Sequence, residues 1–368
     1  MPHAHIEVDQ PATTLAGPGM GSTLRRAFLA TRPPFLIASV LPVLVGTAWA
    51  STVFHLFDGL LFGLAMLATV LAHAATNVYN DVSDDLIGAD VDNVDRIYPY
   101  TGGSRFIQTG LISRRGMLRL ALALCAGALL IGGLLAFIRG PGVLLLGALG
   151  LGLGLLYSLP GLQLSARGVG EVAVGLGLGV LPVLGAVWLQ VGRVDSGAVL
   201  ICLPVSCWIV AILIINEVPD VEADRRARKR TLVVRWGVTG ARVVYVGLTA
   251  MALGASVLAI RLHALPGWYG LPALLLAVGG VMAALRISTQ RAARARLKRG
   301  IELTLAVQAL GCTLLCCALL SERLGSGAPA AAAGAHAGRT AAREHRADPT
   351  ATAQTRHETG FMLEAGSP

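Results

Sequence analysis

Nine times along this chain an apolar run of bilayer-spanning length gives way to a polar, charged or Pro/Gly-rich loop, and that recurrence leaves few folds open. The runs cover about residues 33–54, 57–78 and 117–138, a fourth between Gly140-Pro141 and Tyr157-Ser158, then about 169–190, 197–215, 241–260, 268–285 and 301–320. A soluble domain would carry far more charge than the 14% found here, and the mean hydropathy is +0.67. The expected fold is therefore an all-α integral membrane protein of nine transmembrane helices, occupying residues 25–322. Residues 1–24 and 323–368 lack apolar periodicity and read as disordered tails. Residues 1–24 also lack the apolar core of a cleavable signal peptide. The six cysteines all fall in apolar segments and read as small buried hydrophobes, not as disulfides or metal ligands.

The net charge of +9 belongs to topology more than to nucleic acid. Counting loops alternately from a cytoplasmic N-terminus places Arg96, Arg105, Arg114, Arg115, Arg167, the Arg225–Arg235 group and the Arg286–Arg299 group on the inside. The outside loops keep only Arg139, Arg193 and Arg261. This asymmetry predicts an N-terminus in the cytoplasm and a C-terminus outside.

Two polar clusters stand out against this background. One runs from Asn77 to Gln108 and holds Asp81, Asp84, Asp85, Asp90, Asp92 and Asp95; the other runs from Asn216 to Asp224. Each closes an apolar run, and each contains Asn-x-x-x-Asp, as Asn80 with Asp84 and Asn216 with Asp220. Residues four apart share a helix face, so each pair can offer two oxygens to a hard cation such as Mg²⁺. Arg105, Lys229 and Arg230 can add charge-assisted bonds to the same ligand. A diphosphate with an apolar tail in the bilayer fits such a site, which would stabilise charge on a departing diphosphate. An allylic cation left behind needs an aromatic or carboxylate neighbour; Tyr157 and Glu171 are the candidates.

Plainer readings stand beside these. The Asp-rich stretch also reads as a solvated loop, Gly102-Gly103 as a turn, and Tyr157 as an interfacial aromatic. Glu171 could cap a helix start, and the Arg286–Arg299 loop is best explained by topology. Intramembrane carboxylates also mark transporters, although transport carboxylates tend to lie in mid-span and these lie at helix ends.

On these residues the chain resembles the UbiA-type intramembrane prenyltransferases, over about Arg32 to Leu320. The resemblance implies nine helices around a central cavity open to lipid, with Mg²⁺–diphosphate held by an Asn-x-x-x-Asp motif at Asn80 and Asp84 and an Asp-x-x-x-Asp motif at Asp220 and Asp224. Asp81 and Asp90 would support the metal, and Gly102, Gly103, Arg105, Lys229 and Arg230 would hold diphosphate. The Asn80-Asp81-x-x-Asp84-x-x-x-Gly88-x-Asp90 pattern, the Thr101–Arg105 segment and Lys229–Arg235 are similar to the branch that prenylates 1,4-dihydroxy-2-naphthoate in menaquinone biosynthesis. Prenylation of 4-hydroxybenzoate, homogentisate, a tetrapyrrole or another lipid-soluble acceptor is the alternative. The chain departs from the family pattern at Arg228, where Gly is usual, and at Gln163 and Ser165, where Lys is frequent.

Overall fold

The computed structural model describes residues 19–89, 93 and 95–326. The chain divides into two units, residues 1–322 and residues 323–368; of the second, residues 323–326 are described, and they are helical.

Among the described residues there is no strand. The helices are α1 Met20–Ala30, α2 Pro33–Val53, α3 Gly59–Ile87, α4 Arg114–Arg139, α5 Gly142–Ser158, α6 Gly170–Val191, α7 Ser196–Arg226, α8 Leu232–Arg261, α9 Gly267–Ala284 and α10 Arg291–Glu322. Eight of them are long and apolar enough to cross a membrane; α5, equally apolar, has 17 residues. Large side chains on α4, α5, α8 and α9 remain exposed, among them Leu130, Phe137, Leu145, Val243 and Leu271. In water such a surface would be a liability, and in hydrocarbon it is the solvent-facing side.

Boundaries follow local chemistry. Pro33 opens α2, where a missing N–H costs nothing, and Asp58 caps α3 by accepting from Leu60 N and Leu61 N at 2.9 and 3.0 Å. Asp195 caps α7 through Gly197 N and also accepts from Trp49 Nε1 at 2.9 Å, tying α2 to α7. At the same end Gln190 accepts from Asp58 N and donates to Asp58 O. The main core cluster lies inside this latch, with Val45, Trp49, Val183, Val187, Ile201, Trp208 and Leu315 buried together.

Three expectations need correcting. Helix α1 begins at Met20, inside the stretch 1–24 read as a disordered tail; Ser22 Oγ and Thr23 N both bond to Gly19 O, and Met20, Leu24 and Phe28 recur at helical spacing. The first carboxylate cluster is not a loop at its start, because α3 continues through Asn80, Asp81, Asp84 and Asp85 to Ile87. Likewise α7 runs through Pro219 to Arg226, so Asn216, Asp220 and Asp224 are successive turns of one helix. In both cases hydropathy marks where an apolar segment ends, whereas the hydrogen-bond ladder continues into the polar turns.

Helix contacts depend on missing side chains. A Cβ on Gly46 would lie 2.2 Å from Val183 O and 2.9 Å from Ala186 Cβ, so α2 and α6 touch through backbone. Gly46→Ala is expected to force this contact apart and cost about 1–3 kcal/mol. Gly63→Ala, where an added Cβ meets nothing within 4 Å, should be silent. Thermal unfolding of the two purified variants in detergent checks the difference.

Candidate active site

The cavity that matters is about 380 Å³ and is walled by α2 to α7. Its lower wall is apolar, and its rim carries Asn80, Asp84, Asn93, Gly102, Gly103, Tyr157, Asn216, Glu217, Asp220, Asp224, Lys229 and Thr231. The two clusters, far apart in sequence, therefore meet at one mouth.

Lys229 joins them. Its Nζ lies 3.3 and 3.4 Å from the two oxygens of Asp84 and 3.7 Å from Asp224 Oδ1, and both carboxylates are buried. An ammonium thus stands where two helices each present an anionic oxygen. Asp220 accepts from Asn93 Nδ2 at 2.7 Å and from Gly102 N at 3.1 Å, which draws the 93–105 segment over the mouth. Gly102 has to be glycine: its φ is 71°, and a Cβ there would sit 2.8 Å from Arg96 Cβ. Burial, and next Arg105, lower the Arg96 guanidinium to about 10, so it stays cationic at neutral pH. Asp81 is not on the cavity wall; it pairs with Arg32, which is, and accepts from Ser104 N, so it anchors the same segment.

The other expected residues divide. Asn80 reaches the cavity, its NH₂ donating to Ser158 Oγ at 3.2 Å, so the carbonyl oxygen is the ligand it has to offer. The Tyr157 ring lines the cavity beside Gly170, where an added Cβ would come within 3.1 Å of it. Glu171 is buried but does not line the cavity; its Oε1 accepts from Leu232 N at 2.8 Å at the first turn of α8. It holds the Lys229–Thr231 turn in place and does not face a substrate. Arg105 donates to Asn93 O at 3.3 Å, Arg230 is exposed, and neither is on the cavity wall. Asp90 lies outside the described residues.

Several wall residues had no distinct sequence signal. Asn93 is one polar residue among many in its loop. His73 is buried on α3 with Nδ1 3.1 Å from Ser39 Oγ. Glu217 is 8% exposed, and its Oε2 has no hydrogen-bond partner, as is true of Asn216 Oδ1. An ionisable side chain closing an apolar run was the signal available for Glu217. Gln163, at a position where Lys is frequent in the family, is engaged with Ser83 Oγ at 3.2 Å.

The oxygen donors suit a hard cation. Among the described residues no group of three or more His, Cys, Asp or Glu could hold a metal by itself. What the mouth offers is one or two carboxylates and an amide oxygen from each of two helices, with Asn216 Oδ1 buried and unsatisfied. Mg²⁺ accepts such a partial set when phosphate oxygens and water complete its shell.

A helical membrane protein with a polar, cation-suited mouth over an apolar shaft is built for an amphiphilic anion. The UbiA prenyltransferase family model matches residues 39–307, and the chain belongs to this family of prenyltransferases. It is 30% identical over 223 residues to the 1,4-dihydroxy-2-naphthoate octaprenyltransferase of Bacillus subtilis, covering 60% of this chain and 69% of that one. It is 29% identical over 275 residues to the Escherichia coli protein of the same name, covering 74% and 88%. Among solved structures, a UbiA homolog from Aeropyrum pernix superposes with a TM-score of 0.58 at 22% identity, covering 75% of this chain and 95% of that one. A homolog from Archaeoglobus fulgidus bound to DMAPP and Mg²⁺ gives 0.57 at 17% identity, covering 78% and 98%.

Proposed function

We propose that this protein transfers a polyprenyl group from polyprenyl diphosphate to 1,4-dihydroxy-2-naphthoate in an Mg²⁺-dependent reaction. The observation that carries the reading is the Lys229 ammonium between Asp84 and Asp224, at the rim of a cavity whose lower wall is apolar. Relatives named for that acceptor support its choice. Asn80, Asp84, Asn216, Asp220 and Asp224 would hold the metal. Bound Mg²⁺ would neutralise charge on the leaving diphosphate. Lys229 donates to the diphosphate oxygens, and the Gly102-Gly103 turn brings backbone to within reach of them. Arg105 acts through the segment it braces at Asn93 O. Tyr157 offers its ring face to the allylic cation, and the apolar wall below keeps water from it. The acceptor ring attacks at the carbon bearing the carboxylate; carbon dioxide leaves with the ring–carboxyl bonding pair returned to the ring, giving a prenyl-naphthoquinol. Counting α5 as a span would make nine, and the loop charges support a mouth and an N-terminus on the cytoplasmic side.

Membranes containing the protein, incubated with Mg²⁺, a polyprenyl diphosphate and a panel of aromatic acids, test this by product mass. The expected product from naphthoate is decarboxylated, with 4-hydroxybenzoate at least about ten-fold poorer, as a site built around one acceptor's polar groups discriminates. A carboxylate-retaining prenyl-hydroxybenzoate as main product would overturn the acceptor and leave the diphosphate chemistry standing.

A further inference from the structure

Two kinds of glycine in the helix bundle contrast with each other. At Gly46, Gly154, Gly175 and Gly179 an added Cβ would come within 2.2–2.8 Å of another helix, so these glycines serve packing. At Gly132 on α4, Gly147 on α5 and Gly185 on α6 an added Cβ meets nothing within 4 Å, and all three line the cavity. Helix approach does not require glycine there. All three lie toward the end of the bundle opposite Lys229, since Gly132 is in the last two turns of α4, Gly147 in the first two of α5 and Gly185 in the last two of α6.

The cavity is deep enough for this to matter. Its wall runs on α3 from Asp84 down to Ala65, about 28 Å of helix, and on α5 from Tyr157 down to Val143, about 21 Å. Below, the buried cluster of Val43, Leu61, Ala65, Leu135, Val143 and Leu189 forms its floor. An extended isoprene unit has four backbone carbons and spans about 5 Å at ordinary bond lengths. A donor whose diphosphate sits at Lys229 would thus reach the level of Gly147, about 15 Å below Tyr157, with its third unit. The independent sign that the upper end receives a ligand is Glu217, buried with Oε2 unpartnered in the same cavity.

We infer that Gly132, Gly147 and Gly185 are specificity-determining residues: they hold the lower shaft open for the third and later isoprene units, and so set how long a prenyl chain the enzyme takes. The inference rests on the prenyl-transfer reading above. It concerns bore and not chemistry, so bulk placed at these positions shortens the accepted chain without disturbing the mouth.

The test uses the full-length protein in liposomes with Mg²⁺, naphthoate and diphosphates of two, three, four and more isoprene units. Gly147→Leu and Gly185→Leu should keep kcat/KM for the two-unit donor within about two-fold and lower it at least about ten-fold for four units and longer, the loss expected when a buried chain is excluded from its pocket. Gly133→Leu, next to the cavity residue Gly132 but itself off the wall with open space around its Cβ, should behave as wild type at every length. Activity on the two-unit donor reports that each variant is folded, and Gly132→Leu reads the same effect from a third helix. Equal losses at all lengths beside a normal Gly133→Leu, or no loss at any length, would overturn the inference alone. A wild-type protein that transfers no prenyl group of any length would overturn the function itself and this inference with it.

Discussion

Asp84→Ala and Asp220→Ala should each lower prenyl transfer by about a thousand-fold, while the protein still inserts in membranes. Each removes an oxygen from a site expected to supply several kcal/mol of charge stabilisation, and every 1.36 kcal/mol is ten-fold in rate. The two differ in what they leave behind. Without Asp84 the Lys229 ammonium keeps Asp224, so the mouth holds its shape and the loss falls on rate. Without Asp220 the Asn93 amide and the Gly102 N–H lose their acceptor, so the 93–105 segment also loosens, and KM for the diphosphate should rise as well. Steady-state kinetics on the two variants separates these effects. Chelation should abolish transfer by the wild type, and added Mg²⁺ should restore it. Undiminished turnover in excess EDTA would exclude a metal site at these residues.

The hydrophobic segments were legible because their lengths and breaks follow bilayer thickness and Pro/Gly chemistry: Gly140-Pro141 separates two helices, and the next ends at Ser158, where the sequence places the breaks. How far α3 and α7 run was only partly legible, since the four-residue spacings imply helix but the apolar runs stop short of them. Asp81, Asp84 and Asp220 look like loop residues to a hydropathy reading, yet a helix that leaves hydrocarbon has no reason to unwind, and Pro219 costs one hydrogen bond and crowds the Ile215 carbonyl without ending the helix. Gly237 shows the reverse: its φ of 67° puts a kink inside a stretch that continues from Leu232 to Arg261.

The site was legible as residue types and not as roles. The Asn-x-x-x-Asp spacing correctly puts Asn80 with Asp84, and Asn216 with Asp220, on single helix faces, because that is local geometry. Which cation among Arg105, Lys229 and Arg230 reaches the mouth is not local. It depends on Arg228 adopting φ 58° and on Glu171 fixing Leu232 N, which together set the direction of the turn between α7 and α8. Lys229 and Asp84 are 145 residues apart in sequence, and no spacing rule spans that distance. Glu171 illustrates the same limit: an ionisable residue in an apolar run stands out in the sequence, but its partner, the backbone N–H of Leu232 on another helix, does not.

Lys229→Ala should slow transfer by about a hundred-fold and, at the same time, lower the Mg²⁺ concentration needed for half-maximal activity. The two effects have opposite signs for one reason. The ammonium lies within 3.3 Å of Asp84 and 3.7 Å of Asp224, in the position a divalent cation would use, so it competes with the metal for the same oxygens. Removing it leaves two buried carboxylates with less positive charge nearby, and a divalent cation then binds more tightly. The diphosphate, however, loses a charged donor of the kind whose removal costs on the order of a hundred-fold or more. Lys229→Arg keeps the charge, and its bulkier, planar head should restore part of the rate without restoring the lysine's geometry. Metal titrations of transfer, with direct Mn²⁺ binding to each variant as a readout independent of turnover, resolve the two effects. A slower enzyme whose metal requirement is unchanged or higher would mean that Lys229 only braces α3 against α7, and that the cation site lies elsewhere on the rim.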